Sequence, residues 1–332
     1  MSVTRALAFA AFGLALAHAR PLYAADGALE INHTCASGAG CFAGDAAGYP
    51  VEITGLAGRS YLLTSDLTVP NANTNGILLS GTARGITIDL AGFAILGPTS
   101  CTGAPAVCVG AGSGTGILVL GTGVSGVHVF GGSVRGMGSV GLNLGTECQV
   151  ERVSVTSNGG AGLIGGKSCR VDRVSAFRNG SVGIKTSEGS VNTRSIAIGN
   201  VLSGFEATGV IRACVARENG FEGILAGFFS AVLESAASDN AGNGIRCSEG
   251  CLFRGNSALE NGADGFNCGS GCQVQANAAY GNGDFGIDIS ILTSTYQDNT
   301  VVNNVIGAVN GGVGRGGNHC VGAGVALPPD CP

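Results

Sequence analysis

The sequence predicts an all-β solenoid, a single coil of short parallel strands, and three observations predict it. First, a Gly followed by an apolar residue recurs at Gly76, Gly116, Gly141, Gly162, Gly183, Gly204, Gly223, Gly244, Gly265 and Gly286, and from Gly141 onward the steps are 21, 21, 21, 19, 21, 21 and 21 residues. Second, an Asn holds one position near the far end of each unit, at Asn158, Asn179, Asn200, Asn219, Asn240, Asn261, Asn282 and Asn303. Third, no helical stripe persists after the first residues, whereas runs such as Ile86-Thr87-Ile88-Asp89-Leu90 alternate at the strand period. A fixed period of this length is the signature of stacked structural repeats.

Composition agrees. The chain has 332 residues with 60 glycines and only 12% charged residues, far from the Ala, Glu, Lys and Leu mix of helical bundles, and the glycines lack the every-third spacing of collagen. With 17 basic and 22 acidic residues the formal net charge is -5, so no positive field attracts a phosphate backbone and nucleic acid is not expected as a partner.

Each element of the repeat has a physical use. In such a coil, successive rungs stack about 4.8 Å apart and every residue sits on its own copy. An Asn in a tight turn adopts the left-handed backbone region and passes amide hydrogen bonds to the Asn above and below, giving a polar ladder. Small or apolar residues at fixed positions become inward stacks: Val155, Ala176, Ala197, Ala216, Ala237, Ala258 and Ala279, and again Val150, Val171, Ile211, Val232, Phe253 and Val274. The glycines are read as turn residues. The first unit takes 40 residues, so an excursion between Pro98 and Gly114, pinned by Cys101 and Cys108, leaves the coil. Such a loop forms one wall of a cleft.

The 21-residue rung, the Asn ladder and the opening Gly85-Ile86-Thr87-Ile88-Asp89-Leu90-Ala91-Gly92-Phe93 resemble the right-handed parallel β-helix of the pectate-lyase-like superfamily, including its periplasmic NosD-like members. A left-handed helix would need a hexapeptide period, which is absent. The expected organisation is a signal peptide over 1–19, an N-terminal segment and cap over 20–75, about ten rungs over 76–312, and a C-terminal cap over 313–332. Caps are needed because an open terminal rung presents unpaired strand edges.

The N-terminus carries Arg5, an apolar run from Ala6 to Ala17 and the small-residue triplet Ala17-His18-Ala19, the three parts of a secretory signal. Cleavage after Ala19 makes the mature protein secreted or periplasmic, with no membrane span. Thirteen cysteines in an exported chain read as disulfides. Local pairs are expected at Cys35 with Cys41, Cys101 with Cys108, and Cys320 with Cys331. Cys148 and Cys169 hold one position in adjacent rungs. Cys247, Cys251, Cys268 and Cys272 form two Cys-x-x-x-Cys turns that allow within-turn or cross-rung pairing, or a four-thiolate zinc or copper site; disulfides are preferred and no metal site is assigned. Cys214 is left over as a buried thiol.

Chemistry is harder to place. Only His33, His128 and His319 remain after the leader, without a nucleophile elbow, so a serine triad is not expected. Two outward stripes carry carboxylates and bases. One holds Glu151-Arg152, Asp172-Arg173, Arg194 and Arg212; the other holds Lys185, Glu206, Arg246, Asn267 and Asp288. The resemblance implies outward Asp or Glu, often acting through calcium, with an Arg that abstracts a proton, and this makes Glu151, Asp172 and Arg173 the candidate catalytic group. The competing reading is a cross-rung charge ladder on an exposed face. The signature motifs of polygalacturonases, pectate lyases and alginate epimerases are missing, and the chain has no Trp and five Tyr. The leading expectation is therefore a non-catalytic carbohydrate-binding or structural surface protein. The alternatives are a lyase or hydrolase of acidic polysaccharide, and a NosD-like metal-handling accessory protein. No cofactor is expected, calcium entering only with the lyase.

Overall fold

The computed structural model describes residues 27–55, 58–289 and 293–321, so the expected signal peptide, the start of the N-terminal segment and Cys331 lie outside the described residues. The chain is a right-handed parallel β-solenoid of about ten turns. Three parallel sheets form its faces. The first runs through strands such as Ile77–Ser80, Leu142–Leu144, Leu163–Gly165, Ile224–Ala226, Phe266–Ser270 and Gly307–Asn310. The second includes Thr87–Asp89, Arg170–Asp172, Ala231–Leu233 and Thr295–Gln297, and the third includes Ala94–Leu96, Ser175–Phe177, Ala236–Ser238 and Thr300–Val302.

Register follows the sequence period. Val150 pairs with Val171, Ile211 with Val232 and Phe253 with Val274, while Ala176 pairs with Ala197 and Ala237 with Ala258. All of these are buried, and each fully buried Val, Ile or Phe contributes about 1.5–3 kcal/mol relative to exposure. One rung breaks the apolar stack: Asn192 fills the place between Val171 and Ile211, with its Nδ2 donating to Thr186 Oγ1 at 2.9 Å.

Parallel pairing runs beyond residues 76–312 at both ends. Leu29–Ile31 pairs with the strand at Tyr61 to Leu63, Val51–Thr54 pairs with Ile77–Ser80, and His319–Val321 continues the third sheet beside Thr300 to Val302. The N-terminal end is plugged by a helical turn, His33–Ala36, capped by Asn32 and tied by the Cys35–Cys41 disulfide, with Ala36 fully buried.

The Asn ladder forms, with two corrections. Asn158, Asn179, Asn200, Asn219, Asn240, Asn261 and Asn282 each donate from Nδ2 to the Oδ1 of the next, at 2.8 to 3.0 Å. The last acceptor is Asn304 and not Asn303. The left-handed conformation also belongs to the residue before each ladder Asn: Ser157, Arg178, Gly199, Glu218, Asp239, Glu260, Gly281 and Asn303 all have φ between 51° and 67°. Asn303 thus occupies the left-handed site, which suits Asn for its own reason. That coincidence displaced the expected position by one. A second ladder, Asn256, Asn277, Asn299 and Asn318, stabilises another corner in the same way.

The repeating glycines are not turn residues. Gly162, Gly183, Gly204, Gly223, Gly244 and Gly265 are absent from the positive-φ set, but a Cβ at any of them would lie 2.6–2.7 Å from the carbonyl of the next repeat glycine and 2.7–2.8 Å from a ladder Asn Nδ2. The two sequence signals are one packing motif. Each Gly leaves room for the Asn amide stacked above it.

Five disulfides close among the described residues: Cys35–Cys41, Cys101–Cys108, Cys148–Cys169, Cys247–Cys251 and Cys268–Cys272. The four cysteines left open by the sequence therefore pair within their turns. Cys320 is disulfide-bonded, and its expected partner Cys331 lies outside the described residues. Cys214 is free, fully buried, and its thiol is pushed up to about 12 by burial. Because the thiolate is the reactive form, native protein treated with iodoacetamide is expected to leave the Cys214 peptide unmodified. Mass spectrometry should show labelling only after denaturation.

Among the described residues no helix is long and apolar enough to cross a membrane. The excursion is a two-stranded hairpin, Ser100–Thr102 with Val107–Val109, lying along the coil. Ala106 N–H donates to Gly199 O at 2.9 Å, and Cβ positions built at Gly180, Gly199 and Gly220 come within 3.1–3.2 Å of Cys108, Ala104 and Pro105. The arm crosses three rungs on a track of glycines, from Gly180 to Gly220.

Candidate ligand-binding face

The structure brings Glu151 and Asp172 together as paired neighbours in adjacent rungs, with Arg173 at the corner in the left-handed conformation. Their hydrogen bonds are already committed. Arg194 Nε and Nη2 donate to Asp172 Oδ1 and Oδ2 at 2.8 Å each, and Thr193 Oγ1 donates to Oδ1 at 2.8 Å. Burial pushes the Asp172 carboxyl upward, but the Arg194 and Thr193 hydrogen bonds and the Arg194 and Arg173 charges outweigh it and hold it below the usual carboxylate range. Glu151 accepts from Gln149 Nε2 and lies 3.9 Å from Arg152. This corner is a charge ladder like those of Lys167 with Glu188 and Arg212 with Glu234.

The outward row of the first sheet is different. It carries Lys185, Glu206, Leu225, Arg246, Asn267, Asp288 and Asn310 on consecutive rungs. Side chains alternate across a strand, so the buried flanking residues, such as Phe205 and Ala207 or Ile287 and Ile289, point into the coil and leave this row outside. Lys185 Nζ donates to Glu206 Oε2 at 2.8 Å. A shallow groove of about 400 Å³ lies over Lys185, Glu206, Leu225, Thr208 and Ser248.

A second row flanks the first, at the residue before each repeat glycine. Glu222 is 2% exposed; its Oε1 accepts from Arg246 Nη1 at 3.1 Å and its Oε2 has no hydrogen-bond partner. Asp264, two rungs on, accepts from Phe285 N at 3.0 Å through Oδ1 and from Asn267 Nδ2 at 2.8 Å through Oδ2. The same Asn267 nitrogen donates to Asp288 Oδ2 at 3.0 Å, and Asn310 Nδ2 donates to Asp288 Oδ1 at 2.9 Å. Burial pushes the Asp264 carboxyl up, against its bonds from Asn267 and Phe285 and with the charges of Asp288 and Asp284.

Aromatic rings border this face. Phe221, Phe228 and Phe229 are 51%, 57% and 76% exposed, before and after the strand Ile224–Ala226, and the Phe229 ring lies where a Cβ on Gly250 would be. Glu222 and Asp264 precede the strands Ile224–Ala226 and Phe266–Ser270, so the strand positions alone do not reveal them. Their signal is the run Val140, Ala161, Val182, Ser203, Glu222, Asn243, Asp264, which turns from apolar to polar along the coil.

No protein-family model and no curated protein sequence matches the chain. Among solved structures, the chain is similar to the catalytic domain of a GH87 alpha-1,3-glucanase in complex with tetrasaccharides, at TM-score 0.51 and 11% identity over 85% of this chain and 60% of that one. It is also similar to the A-module of an Azotobacter vinelandii mannuronan C-5 epimerase (TM-score 0.47, 13% identity, 92% and 88% covered) and to a pectate lyase (TM-score 0.42, 16% identity, 82% and 73% covered). At these identities the likeness is one of fold.

Proposed function

We propose that the protein is an exported polysaccharide-binding protein that holds a neutral sugar chain across the rungs of its first sheet without cleaving it. The observation that carries this is the row of fixed donors and acceptors at rung spacing, Arg246, Asn267, Asp288 and Asn310, bordered by exposed Phe rings. A sugar offers hydroxyls to such acceptors and an apolar face to a ring. All four oxygens of Asp264 and Asp288 accept an amide N–H, yet each oxygen has a second lone pair for a ligand hydroxyl. Acidic groups outnumber basic ones on this face, which repels an acidic polymer. Five disulfides support an oxidising, exported setting, and the fold likeness to a tetrasaccharide-bound glucanase supports a carbohydrate ligand.

One observation favours hydrolysis instead. Asp264, with its raised pKa, and Asp288 meet on one amide nitrogen, so their nearest oxygens are no more than about 6 Å apart, as in a carboxylate pair that works through a covalent intermediate. Binding to a panel of neutral and acidic polysaccharides, read together with new reducing ends, separates the two. The expected result is binding to a neutral polymer with no new ends, weakened on the order of tenfold or more in Asp288→Ala because hydrogen bonds to charged groups are worth about 1.5–3 kcal/mol. Ends that vanish in Asp264→Asn and Asp288→Asn would install the hydrolase. Unsaturated products that need calcium and vanish in Asp172→Ala would install a lyase at Glu151, Asp172 and Arg173. No binding to any polymer would overturn the proposal.

A further inference from the structure

Cys247 and Cys268 are paired partners on adjacent rungs of the first sheet, each opening a three-residue turn that ends in its own disulfide partner, Cys251 or Cys272. All four are 1–2% exposed. The sulfurs of Cys247, Cys268 and Cys272 lie within 4.8 Å of one another, and the Cys251 sulfur is bonded to that of Cys247. Three sulfurs thus cluster under two stacked turns, with the fourth one bond away from the cluster. Two Cys-x-x-x-Cys units that converge in this way match the ligand spacing of tetrahedral thiolate sites, which need sulfurs about 2.3 Å from the metal.

We infer that Cys247, Cys251, Cys268 and Cys272 form a site for one soft metal ion when the two disulfides are opened by a dithiol reductant. Opening each disulfide takes two electrons and two protons, which the dithiol supplies as it closes to its own disulfide. Three of the four thiols would have acceptors waiting: Cys251 Sγ lies 3.2 Å from Gly227 O, Cys247 Sγ 3.5 Å from Glu249 O, and Cys272 Sγ 3.5 Å from Ser270 O. Metal binding then displaces the thiol protons to solvent, since the thiolate is the ligand. The disulfides tie each turn to itself, whereas the metal would tie the two rungs to each other. Cys148 and Cys169, also stacked on adjacent rungs, supply only two sulfurs and serve as the internal control. The inference is independent of sugar binding.

The test uses the mature full-length protein, reduced with excess dithiol, desalted anaerobically, and titrated with Zn²⁺ and with Cd²⁺, whose thiolate charge-transfer absorbance reports sulfur ligation. Far-UV circular dichroism follows the β signal throughout. The expected result is one ion per chain, retained in Cys148→Ala/Cys169→Ala and lost in Cys268→Ser/Cys272→Ser, with the β signal kept. Absence of stoichiometric binding, binding that survives Cys268→Ser/Cys272→Ser, or loss of the β signal on reduction would each overturn it.

Discussion

Replacing Asn200 by Ala is expected to destabilise the coil by about 3–6 kcal/mol, among the largest effects any single substitution should have here. Asn200 Oδ1 accepts from both the backbone and the side chain of Asn179 at 3.0 Å, and its Nδ2 donates to Asn219 Oδ1 at 2.9 Å and to Ala176 O at 3.2 Å. Ala removes all four bonds, leaves the Asn179 backbone N–H buried without a partner, and leaves the Asn179 amide with only its bond to Val155 O at 3.1 Å. Each such orphan costs about 1–3 kcal/mol. Water cannot reach these groups, since Asn179 and Asn200 are fully buried. The midpoint of urea denaturation should fall accordingly. Asn304→Ala should behave alike, because Asn304 Oδ1 accepts both Asn282 donors at 3.0 and 2.8 Å. Asn303→Ala, one residue away on an exposed left-handed turn, should shift stability by no more than about 1 kcal/mol. If Asn303→Ala proved the more damaging of the two, the ladder would run through the wrong residue.

The second large effect is expected from Gly223→Ala. In most strands this change is mildly stabilising, by about 0.4–1 kcal/mol, because it restricts the unfolded chain. At Gly223 the new methyl would sit 2.7 Å from Asn240 Nδ2, 2.7 Å from Gly244 O and 2.8 Å from Ala237 Cβ. Two of these neighbours are hydrogen-bonded in place and the third lies in the core, so none moves freely. Overpacking of this kind costs roughly 1–3 kcal/mol, and more where backbone must shift; we expect about 3 kcal/mol. Gly85→Ala is the contrast. Gly85 has φ of +66° with nothing within 4 Å of its would-be Cβ, so only the left-handed penalty of about 1–2 kcal/mol applies. A Gly223→Ala protein as stable as the wild type in urea would show that the motif tolerates a side chain.

Much of the fold was legible because a coil repeats its environment. Each inward position recurs every 21 residues, so Val150, Val171 and Val232 report the same buried site three times over. The ladder was legible for the same reason, apart from Asn303, where two adjacent positions both favour Asn for different physical causes. The second ladder is not legible in the same way, because at that corner Asn begins only at Asn256, after Ser195, Cys214 and Ser235 on earlier rungs.

The candidate face was half legible. Its strand row, Lys185 to Asp288, follows from the period, but Glu222 and Asp264 lie outside the strand and acquire meaning only through Arg246 and Asn267 reaching across rungs. The sequence by itself determined the coil, its rung length, its inward stacks and the adjacency of Glu151 with Asp172, since these depend on period alone. Only the tertiary structure decided which neighbours pair: that Arg194 occupies Asp172, that Asp264 and Asp288 meet on one amide, and that four cysteines close within their turns. Period places residues in adjacent rungs; side-chain direction and length, which a repeat does not encode, select the partner.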